Sequence, residues 1–289
     1  MRAVWLREFG PPSVLVAGEA PEPAGEVVIE VALANITFVE TQVRAGRGPF
    51  PVKLPMIMGN GVGGTVDGRR VIASLGGSGG YAERVAVPAA SLIDVPDGIA
   101  LDDAVALLAD GRTATMLAEA AAPQAGERVL ILAAAGGVGT LLVQLARAAG
   151  ATVVGAVGSD AKRAVVASLG GEGVRYEDLA GPFDVVFDGV GGEVARSAFA
   201  LLGRGGRMLS YGLASGTWAG ISAEEAAARG VTLVQPNRDP SALRGYTERA
   251  LAAGLTPVIG QRFPLERAAD AHAAIEARAT TGKTLLEVT

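Results

Sequence analysis

Between residues 128 and 235, short runs rich in β-branched residues alternate with stretches of helical periodicity, and this alternation most narrows what the chain can fold into. Residues 129–133, 152–157, 174–176, 183–188, 207–211 and 231–235 read as strands, and 138–149, 160–169 and 193–202 as helices. Strands separated by helices of this length do not fold back as hairpins. They predict a parallel sheet with helices on both faces, an α/β arrangement. A further helical pattern runs from residue 101 to about residue 121, with Asp102 and Asp103 in its first turn, where the helix dipole favours acids.

The first strand-to-helix junction carries the run 131–146, ILAAAGGVGTLLVQLA. A membrane span needs about 20 consecutive apolar residues, whereas this run is framed by Arg128 and interrupted by Gln144 and Arg147, so no membrane segment is expected. The spacing A-x-G-x-x-G over 134–139, after a strand and opening a helix, is the setting of a dinucleotide-binding turn. Ala134 stands at the small residue of the tight turn. Gly136 would let a pyrophosphate approach the backbone, and Gly139 would let the helix pack closely on the strand. Unpaired amides at the helix start would face the phosphates, which makes Ala135, Gly136, Gly137, Val138 and Gly139 the candidate contacts.

The end of the second strand bears on the choice of nucleotide. An NAD enzyme usually places an acid there to hold the ribose hydroxyls. The sequence is GAVGSDAKR, with Gly158 and Ser159 in the turn and Lys162 and Arg163 on the next helix. Asp160 stays open between that acid and a helix N-cap. A hydroxyl and two cations suit a 2′-phosphate, so the expected cofactor is NADPH.

Outside this region the residues 27–33 and 84–87 read as strands of a mostly β unit, with the run 76–80, GGSGG, as a loop inside it. After residue 255 a strand, a helix and a last strand are expected to rejoin that unit. The domains are thus read as 1–105 with 256–289, and 106–255.

Charge excludes one class of partner: 25 basic against 30 acidic residues, a net −5 with no basic run, argue against nucleic acid. With no cysteine, disulfides and thiolate chemistry are out, and a cytoplasmic location fits a reducing compartment. The start, MRAVWLREFGPP, reads as no export signal. With His272 as the single histidine, no tetrahedral N/S metal site can be assembled, so no metal is expected.

Several separated stretches resemble one family in order. AAAGGVGTLLVQLARAAGATVVG, FDVVFDGVGG, GGRMLSYGLASG and the tail FPLERAADAHAAIEARATTGKTLLEV, with VETQVRAG and GGYAERVAVPA near the start, are similar to the zinc-free quinone oxidoreductase branch of the medium-chain dehydrogenase/reductase superfamily. The resemblance implies a GroES-like, mostly β catalytic domain completed by the tail, and a Rossmann domain with a doubly wound parallel sheet between. It implies that Ser159, Lys162 and Tyr176 surround the 2′-phosphate. It also implies that Gly136 to Gly139 hold the pyrophosphate, that Thr113 in GRTA approaches the nicotinamide, and that Gly212, Leu213 and Ala214 line its other side. A homodimer is implied as well, formed through the strand 231–235.

Two departures from the family pattern matter. In ITFVETQVRAG the family's Asn, Asp, Thr and Tyr are replaced by Thr37, Glu40, Thr41 and Gln42, so a tyrosine proton donor is missing. Thr37, Gln42 and Arg44 are the remaining candidates for polarising a substrate carbonyl or stabilising an anion. Where the zinc-dependent cousins carry Gly-His-Glu, this chain has Gly59, Asn60 and Gly61. The second departure is length. Only EDLAGP separates Tyr176 from Phe183, where the family carries a helix, and GTVDGRRVIA is also short. Because a parallel crossover ordinarily takes a dozen residues or more, an irregular third strand is expected.

With a nicotinamide and no metal, the simplest chemistry is hydride transfer to a carbon conjugated to a carbonyl. A quinone or an α,β-unsaturated ketone is the expected small-molecule substrate. The alternatives are an enoyl-thioester or polyketide-pathway enoyl reductase, and a non-catalytic NADPH-binding sensor or crystallin-like protein.

Overall fold

The computed structural model describes residues 1–288. The chain divides into two units, Met1–Ala109 with the tail from Thr256, and Asp110–Leu255.

The first unit opens with β1 (Arg2–Leu6), β2 (Leu15–Glu19), β3 (Val27–Ile36), α1 (Phe38–Arg44), β4 (Met56–Ile57), β5 (Gly61–Val66), β6 (Arg69–Ser74), β7 (Arg84–Val87), β8 (Ile93–Asp94) and α2 (Leu101–Ala106). The second contains α3 (Arg112–Ala121), β9 (Arg128–Leu132), α4 (Gly137–Ala148), β10 (Thr152–Val157), α5 (Asp160–Ser168), β11 (Glu172–Arg175), β12 (Phe183–Asp188), α6 (Gly192–Ala200), β13 (Leu202–Ser210), α7 (Ala223–Ala228), β14 (Thr232–Leu233) and α8 (Leu243–Ala252). The tail adds β15 (Ile259–Pro264), α9 (Ala268–Glu276) and β16 (Lys283–Glu287) to the first unit.

In the first unit β16 pairs antiparallel with β3, so the larger sheet runs β15-β16-β3-β5-β6-β8, with β7 also on β3. A smaller sheet has the order β2-β1-β4. Alternating residues of β3 (Ile29, Val31) and of β1 (Val4, Leu6) meet Leu265, Ala268 and Leu286 of the tail in one buried cluster. The shortened stretch GTVDGRRVIA is a tight hairpin. Asp67 and Gly68, at φ +48° and +79°, form the two-residue turn between β5 and β6, and left-handed backbone at both central positions matches the twist of paired strands.

In the second unit all six strands are parallel in the order β11-β10-β9-β12-β13-β14, as the alternation predicts. Leu130, Leu132, Val154 and Val186 face α6 in one core layer. The order reverses at β9, whose neighbours are β10 on one side and β12 on the other, and a crevice at the carboxyl ends of the strands is expected at such a point.

Three expectations change. The third strand is regular, with β11 in register with β10 from Val154↔Glu172 to Val157↔Arg175. The crossover to β12 is made by residues 176–182, a single 3-10 turn followed by extended chain, with Leu179 packed on the core. Reach explains why no helix is needed: these residues span up to about 25 Å when extended, against a diagonal of roughly 20 Å made by three strand spacings across the sheet and one short strand length along it. Residues 101–121 are not one regular helix, since a wider π turn at Leu107–Gly111 separates α2 from α3. The strand expected over 231–235 shrinks to Thr232–Leu233. Val234 N–H still donates to Met208 O at 2.9 Å, and Pro236, which has no N–H, lies just beyond.

Candidate functional site

The glycine turn is built where β9 meets α4. Ala133 takes φ +54°, Gly136 N–H donates to Ala133 O at 2.9 Å, and Thr140 N–H makes the first helical bond, to Gly136 O at 2.9 Å. The amides of Gly137, Val138 and Gly139 precede that bond and have no partner within the helix. The left-handed residue is Ala133, so Ala134 is not the residue that makes the turn. Its methyl instead lies where only a glycine fits opposite: a Cβ on Gly155 of β10 would come within 2.7 Å of Ala134 Cβ.

The two fingerprint glycines differ in kind. A Cβ on Gly139 would fall 2.4 Å from Ala133 O and 2.8 Å from Ala134 Cα, so this glycine serves helix-to-strand packing. A Cβ on Gly136 meets only Ala133 O, at 3.3 Å, and no other part of the chain. Beyond that oxygen the space beside Gly136 is open. Gly139→Ala is expected to destabilise the protein by about 1–3 kcal/mol through overpacking against backbone. Gly136→Ala should cost a fraction of that, and urea unfolding of the pair checks the difference.

At the end of β10, Ser159 occupies the N-cap of α5 but its side chain caps nothing. Asp160 is the first residue of α5 rather than its cap. Tyr176 lies beside both loops: its hydroxyl accepts from Ala133 N–H at 3.1 Å, and its ring edge is 3.9 Å from where a Gly158 Cβ would stand. The short crossover thus leaves Tyr176 next to the turn. Lys162 is half-buried on the first turn of α5. Arg163 turns toward β11 instead, its Nε donating to Gly173 O at 2.9 Å and its Nη1 lying 3.5 Å from Asp160.

The loops after β12 and β13 form the next part of this edge. Asp188, fully buried, accepts from the amides of Val190 and Gly191 at 2.9 and 2.8 Å and from the Ser210 hydroxyl at 3.0 Å. Burial pushes its carboxyl above the usual range while those hydrogen bonds pull it back. Sequence reasoning passed over Asp188, although its place at the end of the strand in FDGVGG was the available signal. It fixes the half-exposed segment Gly212, Leu213 and Ala214, whose Ala214 N–H donates to Gly189 O at 3.3 Å. A Cβ on Gly212 would approach Gly189 O to 2.7 Å, so the two loops touch through backbone. Burial also raises the Tyr211 phenol. Thr113 sits half-buried in the first turn of α3, directly after the π turn.

In the first unit Thr37 is the N-cap of α1. Glu40 Oε2 accepts from Thr37 N–H at 2.6 Å and from its hydroxyl at 2.9 Å, and Asn60 N–H donates to Glu40 Oε1 at 3.0 Å. The Thr37 proton is thus committed to Glu40 and is not offered to a carbonyl. Gln42 is half-buried, its Nε2 donating to Thr41 Oγ1 at 3.1 Å. Arg44, a candidate anion stabiliser, is 1% exposed and ion-paired with Glu276 of α9. Beside α1, Phe9, Val43, Phe50 and Val52, with the backbone of the 46–51 loop, line a cavity of about 420 Å³. Gln42 Oε1 accepts from Arg47 Nε at 3.4 Å, and of its two Nε2 hydrogens one is given to Thr41, which leaves the other as a donor.

Among the described residues, no three His, Cys, Asp or Glu side chains are gathered in a way that could hold a metal ion, and no helix is long and apolar enough to cross a membrane.

Comparison with known proteins follows this geometry. The zinc-binding dehydrogenase family matches residues 172–286. A probable quinone oxidoreductase of Schizosaccharomyces pombe is 35% identical over 318 aligned positions, covering 98% of this chain and 96% of that protein. The quinone oxidoreductase of Thermus thermophilus, solved alone and with NADPH, superposes with a TM-score of 0.87 at 32% identity, with both chains fully covered. A mycobacterial protein solved with NADPH gives a TM-score of 0.91 at 28% identity, again over the whole of both chains.

Proposed function

Because this chain belongs to the quinone oxidoreductase branch of the medium-chain dehydrogenase/reductase superfamily, we propose that it is an NADPH-dependent oxidoreductase that reduces a quinone or an α,β-unsaturated ketone without zinc. The observation that carries this is the open space at Gly136, which faces the unpaired amides of α4 next to Ser159 and Tyr176.

When bound, NADPH supplies a hydride from C4 of its nicotinamide to the acceptor. The chain binds and orients. Gly137, Val138 and Gly139 present amides and the positive end of α4 to the pyrophosphate. Ser159, Lys162 and Tyr176 serve the 2′-phosphate. Thr113, Gly212, Leu213 and Ala214 are assigned to the nicotinamide, the last three in the loop that the Asp188 hydrogen bonds hold. In the first unit Gln42 is the amide that can donate to a carbonyl oxygen. A quinone asks little of a proton donor, because its reduced oxygen is a weak base that water can protonate. That suits a site whose expected tyrosine is glutamine. The donor set supports the zinc-free reading, since the chain has no cysteine and its one histidine is buried.

The test is loss of reduced-nicotinamide absorbance with a panel of quinones, enones and enoyl thioesters. Turnover is expected with quinones and should be faster with NADPH than with NADH. Tight NADPH binding without oxidation by any acceptor would favour a non-catalytic binding protein. We also infer a cytoplasmic homodimer that pairs the β14 edges, which sedimentation of the purified protein would check.

A further inference from the structure

The end of β10 holds more charge than binding a ribose requires. Asp160 stands where an acid would accept from the ribose 2′-hydroxyl of NADH, yet its carboxylate is flanked by two guanidinium groups. Arg163 Nη1 lies 3.5 Å from Asp160 Oδ1, and Arg175 Nη1 lies 3.9 Å from the same oxygen. Arg163 is tethered to β11 through Gly173 O. Arg175 is the last residue of β11, in register with Val157 at the end of β10. Its other contact is Glu177 Oε1, 3.1 Å from Nη2, and its side chain is 31% exposed. The following residue, Tyr176, is pinned to the glycine turn by the Ala133 amide, so the backbone that carries Arg175 is fixed with respect to Ser159 and that turn.

We propose that Arg175 is a specificity-determining residue for the nucleotide. By pairing with Asp160 it withdraws the one carboxylate that would favour a 2′-hydroxyl, and it presents a guanidinium to a 2′-phosphate. This rests on the cofactor reading above and adds a residue to it. The bland alternative is an ion pair that merely ties the sheet edge to α5. Solvated pairs of this kind contribute little to stability, so the two roles separate by what a substitution changes.

The experiment is calorimetric titration of the wild type, Arg175→Gln, Arg175→Lys and Arg163→Gln with NADPH and with NADH. Losing one charge-assisted contact to a phosphate, Arg175→Gln should weaken NADPH on the order of tenfold and leave NADH within about twofold, so the ratio of the two affinities falls. Arg175→Lys, which keeps the charge, should retain most of the ratio, and Arg163→Gln should change it less than Arg175→Gln. Equal weakening of both nucleotides by Arg175→Gln would overturn the proposal, as would an unchanged ratio. A wild type that binds neither nucleotide would instead overturn the cofactor reading on which it rests.

Discussion

Gly136→Leu should abolish measurable NADPH binding while the protein stays folded. The backbone at Gly136 has φ −84° and ψ 172°, which any residue adopts without strain. Its Cβ direction meets nothing of the chain except Ala133 O at 3.3 Å. A leucine is therefore tolerated by the fold, yet its branched end fills the space beside the amides of Gly137, Val138 and Gly139. A pyrophosphate displaced from those amides loses several charge-assisted hydrogen bonds and the favourable end of the α4 dipole. The loss should exceed 100-fold, about 2.8 kcal/mol. Calorimetry with NADPH and a thermal melt of the variant check the two halves of the prediction. An unchanged affinity would mean that the phosphates dock elsewhere, and with that the oxidoreductase reading would lose its support. Unfolding of the variant would show that the space at Gly136 is needed by the chain itself.

The contrast between Gly136 and Gly139 shows how far the sequence could be read. The spacing and the strand-turn-helix context located the turn, because periodicity distinguishes strands from helices in long alternating segments. Which residue would take positive φ was not legible: small residues in a row are equivalent by type, and the structure chose Ala133. Strand lengths failed where pairing partners decide them. Residues 231–235 have strand composition, but only Thr232 and Leu233 pair with β13. The many strands of the first unit were mostly unread, although Asp67-Gly68 between apolar runs is a hairpin signal in its own right.

The candidate site was legible in the same uneven way. Ser159 and Tyr176 were named by resemblance for the 2′-phosphate; the Tyr176 hydroxyl accepts from Ala133 N–H in the glycine turn, and Ser159 stands at the N-cap of α5. Arg163 and Arg44 were named for their charge, but charge type does not say what a long side chain will meet. Arg163 met the backbone of β11, and Arg44 met Glu276 from a helix more than two hundred residues later in sequence. Asp188 was overlooked because a single acid at a strand end has no periodic signature. Its role appears only when the loops after β12 and β13 are seen to share its two oxygens.

Acid should destabilise the wild type more steeply than His272→Gln. His272 on α9 is fully buried, with Nε2 3.0 Å from the Tyr81 hydroxyl and the two rings edge to face. Burial first, and the Arg44 charge second, hold its pKa down at about 3 against an ordinary 6.5. In the folded protein it stays neutral through the range where the unfolded chain takes up a proton. The sign follows from a depressed base: its contribution is fully present above pH 6.5 and is lost as pH falls from there toward 3. Two pH units below 6.5 correspond to about 2.5 kcal/mol. Glu40, buried in the same unit with its pKa raised by burial, acts in the opposite direction: its folded form favours the proton, so it adds stability as pH falls toward the carboxylate range. Comparing wild type with His272→Gln removes that common term, and glutamine retains a hydrogen-bonding group for Tyr81. Urea unfolding at pH 7 and pH 4.5 should show the wild type losing about 2.5 kcal/mol more than the variant. Equal losses would mean that His272 is solvated or already charged in the fold. Gly136→Leu, which leaves His272, Tyr81 and Arg44 untouched, should keep the wild-type acid profile, separating loss of the cofactor site from loss of the fold.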